Sequence, residues 1–234
     1  MQDLIKQEQF ELEVLDRLNS GKILSDLVFG GGTMLRLCFG LQRFSVDLDF
    51  WIIKNIDEKK LFNNLKDYLT KFYVLKDHTN KFYTLLFEIK SKDYPRSLKI
   101  EIRKEVKKIK TETAIAYSSY SNIQVFLRVV SLQEMMNSKI RAFLDRKEIR
   151  DVFDLEFLLK KGLALDFSQE TLKKVLGLID SLKKNDYQIK LGSVLPKEQR
   201  AYYLSENFKI LKLAINEKLS GSGIADSGNK ADII

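Results

Sequence analysis

The stretch "FGGGTMLRLCFGLQRFSVDLDFW", Phe29–Trp51, puts three glycines before a helix-like segment and two aspartates one residue apart on a strand-like one. Successive side chains of an extended strand point to opposite faces. Ser45, Asp47, Asp49 and Trp51 therefore share one face, while Val46, Leu48 and Phe50 line the other, which turns to a core. The usual strand rise leaves Asp47 and Asp49 roughly 7 Å apart, close enough for both carboxylates to converge on one divalent ion or a pair of ions. Hard oxygen ligands of this kind suit magnesium or manganese. An isolated D-x-D is short and common, and by itself it reads as the wet face of an ordinary strand. Aspartate is disfavoured in strands, however, and two in one strongly β-forming run call for a reason.

The glycines supply part of that reason. Gly30, Gly31 and Gly32 follow a short apolar run and precede a segment that can start a helix, with Thr33 near its N-terminus. Glycines there let backbone amides approach an anion, and a helix start adds favourable partial charge for phosphate. The run is neither a Walker A loop nor a G-x-G-x-x-G fingerprint, and by itself it needs no more than a tight turn. A third element, "SLKIEIRKE", sets Lys99, Glu101 and Arg103 on one strand face and Leu98, Ile100 and Ile102 on the other. If it neighbours the first strand, Glu101 completes a carboxylate triad; an edge strand with a solvated ion-pair face fits as well. "KKIK", Lys107–Lys110, reads as a charged loop.

Composition bounds the rest. The chain has 234 residues, 44% hydrophobic, 31% charged and 11% aromatic, which is the profile of a folded protein with a sizeable core. No apolar run is long enough to span a bilayer, and "MQDLIKQEQFELEVLDRL" reads as an amphipathic helix and not a signal peptide, so a cytoplasmic location is expected. One cysteine, Cys38, excludes an intramolecular disulfide. With a single histidine, His78, it leaves too few soft ligands for structural zinc, and any metal falls to carboxylates. His78 lies in "KDHTNK", which reads as a polar exposed turn, so a histidine-dependent nucleophile is not expected. The formal charge of +8 favours a polyanionic partner.

Residues 1–130 carry the β-rich runs "DLVF", "SVDLDFWII", "FYVLK", "KFYTLLFEIK", "SLKIEIRKE" and "IQVFLRVV", interrupted by helix-like pieces at the N-terminus, at Thr33–Leu41 and at Asp57–Thr70. They predict an α+β mixed sheet with helices packed on it. Residues 131–219 change to helix-period patterns, beginning at an S-x-x-E capping box, Ser131 and Glu134. Residues 220–234 are Gly/Ser-rich and read as a flexible tail. On the helix from Leu132, the stripe of Leu132, Met135, Met136, Ile140 and Phe143 also contains Lys139, which is costly there without a partner. In the next segment Asp151 and Asp154 share a face with Leu155 and Leu158. Placement near a helix start explains part of this; a cleft that positions a nucleotide explains it too.

Together, "GGGTMLRL", "RFSVDLDF", "LKIEI" and "LQEMMNSKIRAFLDRKEIRDVFDLEFLL" resemble the AbiEii/AbiGii nucleotidyltransferase toxin family over most of residues 20–160. The resemblance implies a DNA polymerase β-like nucleotidyltransferase fold, with a nucleotidyltransferase lobe followed by a helical lobe. It implies magnesium or manganese as cofactor, a nucleoside triphosphate as substrate, tRNA or another RNA as acceptor, and restraint by an AbiEi-type antitoxin. Residue by residue, it puts Gly31, Gly32 and Thr33 on the glycine motif, with Ser45 and Asp154 as further nucleotide contacts. Asp47 and Asp49 fall on the metal carboxylates, Glu101 on the third, Lys139 on the lysine of the third motif and Asp151 on the acid of the fourth. Glu101 departs from the more usual aspartate. A small-molecule or protein hydroxyl as acceptor, or a non-catalytic nucleotide-binding module, stays open on the sequence.

Overall fold

The computed structural model describes residues 1–106 and 108–221. Lys107 of the charged loop, and the Gly/Ser-rich tail from residue 222 onward, lie outside the described residues. The chain begins with α1 (Gln2–Ser20), then β1 (Leu27–Gly30), α2 (Gly31–Phe39), β2 (Asp47–Ile52) and α3 (Glu58–Leu69). Five further strands follow: β3 (Val74–Asn80), β4 (Thr84–Lys90), β5 (Leu98–Arg103), β6 (Thr111–Ala116) and β7 (Val125–Val130). After them the described elements are helical: α4 (Leu132–Arg146), α5 (Ile149–Lys160), α6 (Gln169–Asp180), α7 (Lys197–Glu206) and α8 (Lys209–Leu219).

The seven strands form one mixed sheet in the order β3-β4-β5-β2-β1-β7-β6. β2 stands near its middle, antiparallel to β1 and parallel to β5. The alternation legible in β2 and β5 decides which way each strand faces. Leu48, Phe50, Ile100 and Ile102 are fully buried on one side, where they continue into Phe87 of β4. Removing each of these side chains from water stabilises the fold by roughly 1.5–3 kcal/mol. α1 and α3 cover that face: Gln7 of α1 donates to the Val46 and Ser97 carbonyls, and Phe62 of α3 packs its ring 5.0 Å from Phe87. The opposite face carries Asp47, Asp49, Lys99, Glu101 and Arg103, all less buried.

Local chemistry sets the helix ends. Asp57 caps α3 by accepting from the Lys60 amide at 3.0 Å, and Ser131 caps α4 by accepting from Glu134. Gly40 closes α2 with φ +81°, a left-handed position that suits glycine.

Several expectations need correction. β6 was not visible as a strand, because "TETAIA" has little apolar alternation; it is an edge strand with mostly exposed residues, paired with β7. "KDHTNK" is not a turn but the second half of β3, the opposite edge, where antiparallel pairing with β4 holds polar residues that have no core to face. His78 is exposed there, with its ring 6.1 Å from Phe62. The C-terminal pattern that reads as one helix is broken between α7 and α8, where Asn207 and Phe208 both take positive φ (46° and 54°). Burial of Phe208 between Tyr187 and Tyr203 holds that reversal.

On α1, Glu11 is fully buried, and neither of its carboxylate oxygens has a hydrogen-bond partner among the described residues. Burial, reinforced by Glu8, pushes its pKa well above the ordinary value. A group protonated when folded and ionised when unfolded makes stability fall as pH rises from the unfolded pKa toward the raised one. Glu11→Gln, which cannot ionise, should therefore gain stability relative to the parent as pH rises above the ordinary glutamate value of about 4.3. Urea unfolding of both proteins across that range checks it, and parallel stability profiles would rule out a neutral Glu11.

Candidate active site

The β1–α2 turn delivers the glycines to the carboxylates. Gly30 pairs in register with Asp49, so Gly31, the first residue of α2, arrives directly at the Asp49 side chain. A Cβ on Gly31 would stand 2.1 Å from Asp49 Oδ2, and the backbone there has φ +76°, so both space and conformation require glycine. Gly32 is packed just as closely on its other side: a Cβ would meet Arg43 Nη2 at 2.6 Å and Ser45 Oγ at 2.9 Å. Ser45 therefore lies beside the start of α2, in the segment leading into β2 and not within the strand itself. The Thr33 hydroxyl donates to the Asp47 carbonyl at 2.6 Å and braces the strand, leaving its amide as the group at the helix start. The free first-turn amides of α2 carry the partial positive charge that favours an anion.

Asp47 and Asp49 share the less buried face of β2, and Asp49 is in register with Glu101 on β5. Burial pushes the Asp49 pKa up to about 6, with Glu101 and then Asp47 adding repulsion that Lys139 and Arg103 only partly offset. Asp47 is also raised, by burial first and then by Glu101. These acids are mutually destabilised in their charged forms, and a divalent cation would relieve that repulsion. Among the described residues, however, no three His, Cys, Asp or Glu side chains gather closely enough to hold one ion. β5 does neighbour β2, the condition for the expected triad, and sets Glu101 beside Asp49, one strand away from the pair Asp47 and Asp49. The pair still fits magnesium, which is commonly held by one or two carboxylates with substrate phosphate oxygens and water completing its shell.

Across from the carboxylates, α4 presents Lys139, buried within its apolar stripe as the pattern requires. Its ammonium lies 2.6 Å from Asp154 Oδ2 and 3.2 Å from Asp151 Oδ1. Both aspartates are fully buried on α5, and each takes a second, bidentate partner. Arg43 holds Asp154 through Nε and Nη2, both at 2.7 Å, and Arg146 holds Asp151 through the same two atoms, also at 2.7 Å. Burial works against ionising Asp154, but Arg43 and Lys139 outweigh it and keep its pKa below the ordinary value. Both Asp154 oxygens, on the residue expected to contact nucleotide, meet cations here, Oδ1 that of Arg43 and Oδ2 those of Arg43 and Lys139.

Arg43 and Arg146 are the members of this network that sequence reasoning missed. Arg43 sits in an irregular connector with no periodicity to mark it, and Arg146 ends α4 where a cation is expected for the helix dipole alone. Lys139, Gly31, Asp49 and Arg146 line a small cavity of about 80 Å³. A larger one, about 360 Å³, adjoins it through Trp51, Arg103, Ser138 and Arg146 and is also lined by Ile109 and Arg141. Cys38 offers no rival nucleophile, since burial pushes its thiol up to about 12.

Comparison with known proteins identifies the family and the fold. The family described as "Nucleotidyl transferase AbiEii toxin, Type IV TA system" matches residues 13–203. Among solved structures, the crystal structure of JHP933 from Helicobacter pylori is 25% identical, with a TM-score of 0.52 over 88% of this chain and 96% of that one. A second H. pylori structure, described provisionally as a nucleotidyltransferase, shares the fold at 24% identity and a TM-score of 0.56, over 93% of this chain and 98% of that one. No curated protein matches the chain.

The network makes a stability prediction independent of any substrate. Asp154→Ala strands the buried Arg43 and takes from Lys139 one of its two carboxylates, and should cost about 3–5 kcal/mol. Arg146→Ala should cost distinctly less, because the Arg146 side chain is 55% exposed and Lys139 remains to pair Asp151. Equal midpoints for the two variants in urea unfolding would contradict the central place given to Asp154.

Proposed function

The chain belongs to the AbiEii nucleotidyltransferase toxin family, and from that premise we propose that it transfers a nucleotide from a nucleoside triphosphate to the 3′ end of an RNA, with tRNA as the acceptor class. Its family makes it a nucleotidyltransferase of a type IV toxin–antitoxin system. An AbiEi-type protein is the antitoxin in this reading. The observation that carries it is the placing of Asp49 against the N-terminus of α2 with Lys139 lining the same cavity, and of Asp47 two residues away on the same face of β2. Anion-binding amides, a buried cation and a carboxylate with a second beside it suit a triphosphate with its metal ion.

The acceptor's 3′ oxygen forms a bond to the α-phosphorus, the bond from that phosphorus to the bridging oxygen breaks, and pyrophosphate leaves with the electron pair. Asp47 and Asp49 would hold magnesium or manganese, which when bound neutralises phosphate charge and acidifies the attacking hydroxyl. The amides of Gly31, Gly32 and Thr33, with the Ser45 hydroxyl, donate to oxygens of the β- and γ-phosphates. Lys139 has three N–H donors, of which Asp151 and Asp154 use two; the third is free to neutralise charge developing on the leaving pyrophosphate. Asp151 is a positioning residue that holds Lys139 and Arg146 at the cavity wall. In this reading Glu101, beside Asp49 on β5, joins the pair as a third metal carboxylate or takes the hydroxyl proton. The net charge of +8 supports a polyanionic acceptor.

The test is incubation of the purified chain with total tRNA, magnesium and each labelled nucleoside triphosphate in turn. Label should pass to RNA with one or more nucleotides. Asp47→Ala and Asp49→Ala should each reduce transfer by roughly a hundredfold or more. Gly31→Ala should match them, since its methyl group would displace Asp49. Undiminished transfer by Asp47→Ala would overturn the role given to the pair, and label found on a protein or small molecule instead of RNA would overturn the acceptor.

A further inference from the structure

We propose that the tip of the β3–β4 hairpin is a stacking platform for the single-stranded 3′ segment of the acceptor, a proposal that rests on the RNA acceptor named above. The tip is Phe82–Tyr83, enclosed by a bond from the Lys81 amide to the Thr84 carbonyl at 2.9 Å. Phe82 is 83% exposed and Tyr83 75% exposed, and their rings stand edge to face with centroids 4.6 Å apart. Turn geometry does not ask for aromatics here. Tight hairpin turns favour Asn, Asp and Gly, and neither of these residues takes a positive φ. Two neighbouring rings held in water are unfavourable unless something covers them.

Position selects what does so. The Lys104 amide donates to the Tyr83 carbonyl at 3.0 Å, and Thr84 pairs with Arg103, so the tip is fastened to the end of β5. On the same strand Glu101 lies beside Asp49. Three residues of strand therefore separate the tip from the carboxylates, roughly 10 Å at the usual rise. Arg103 stands between them, exposed and lining the larger cavity together with Ile109. Exposed Lys81, Lys108 and Lys110 lie on the hairpin and on the connection after β5. Aromatic faces beside a cationic track fit a single strand: every base has a π-face to stack, and the cations follow the phosphates. With its 3′ end at Asp49 and Glu101, an acceptor would cross Arg103 and lay its preceding bases on Phe82 and Tyr83.

The experiment measures fluorescence anisotropy of a short unstructured 5′-fluorescein-labelled RNA with the full chain, alongside calorimetric binding of the magnesium nucleoside triphosphates. Both residues are exposed, so Phe82→Ala/Tyr83→Ala should fold as the parent does. It should weaken RNA binding roughly tenfold or more while leaving triphosphate binding unchanged. Phe82→Tyr/Tyr83→Phe, which keeps both rings, should bind RNA as the parent does. RNA binding by the alanine variant equal to that of the parent overturns the platform and leaves the acceptor reading standing. A parent that binds triphosphate but no RNA overturns both, and would turn the exposed rings toward a protein partner such as the antitoxin.

Discussion

The pairing of Arg43 with Asp154 ties the two parts of the site together. Arg43 belongs to the connector between α2 and β2; Asp154 belongs to α5, more than a hundred residues later, and both are buried. A bidentate guanidinium–carboxylate pair tolerates little rotation, so it fixes angle as well as distance. The guanidinium also lies against Gly32, which has no Cβ to obstruct it. One contact therefore sets the glycine turn, and with it the amides at the start of α2, relative to the helices that carry Lys139. Such a pair is weak grounds for stability by comparison with an apolar one, and its value here is geometric.

The connector that holds Arg43 is itself pinned. Arg36 on α2 pairs with Glu8 of α1, donates to the Leu41 carbonyl at 3.1 Å and lies over the Phe44 ring at 3.8 Å. The Phe44 amide in turn donates to the Val194 carbonyl at 2.9 Å, in the segment between α6 and α7. Glu8, which also accepts from Ser118, explains why α1 carries acid on a buried face. The sheet, the first helix and the helical half thus converge on a few residues of irregular backbone just upstream of β2. That backbone is where precise placing matters, because Ser45 and Asp47 follow within four residues of Arg43.

What the sequence makes legible follows from periodicity. The two-residue period shows the faces of β2 and β5, and with them Asp47, Asp49 and Glu101 on one side. The helical period shows Lys139 inside an apolar stripe and Asp151 and Asp154 on one face of α5. A charge on the wrong side of a periodic pattern is visible without coordinates. Arg43 lies where there is no period to violate, and Arg146 lies where a cation is unremarkable, so neither stands out. The edge strands β3 and β6 escape for a related reason: with water beside them, their composition is not forced to alternate. The pairing of Asp154 with Arg43 could not be read either, because which partner a buried acid meets depends on long-range packing.

The charges of the site are kept apart by design of the fold. The acids of β2 and β5 repel one another on the sheet, while Lys139, Arg43 and Arg146 are gathered by aspartates on α5. The cationic side is satisfied and ordered without borrowing Asp47 or Asp49. Had Lys139 paired directly with Asp49, the two would neutralise each other and fill the cavity they now line. Asp151 and Asp154 hold the lysine from the α5 side, which leaves Asp47 and Asp49 with raised pKa values and Lys139 and Asp49 lining one cavity. A triphosphate with its metal ion carries both complements, cation for the sheet and anion for the lysine and the α2 amides. The aspartates of α5 therefore act by withholding Lys139 from the acids opposite, and the site depends on that separation as much as on the acids themselves.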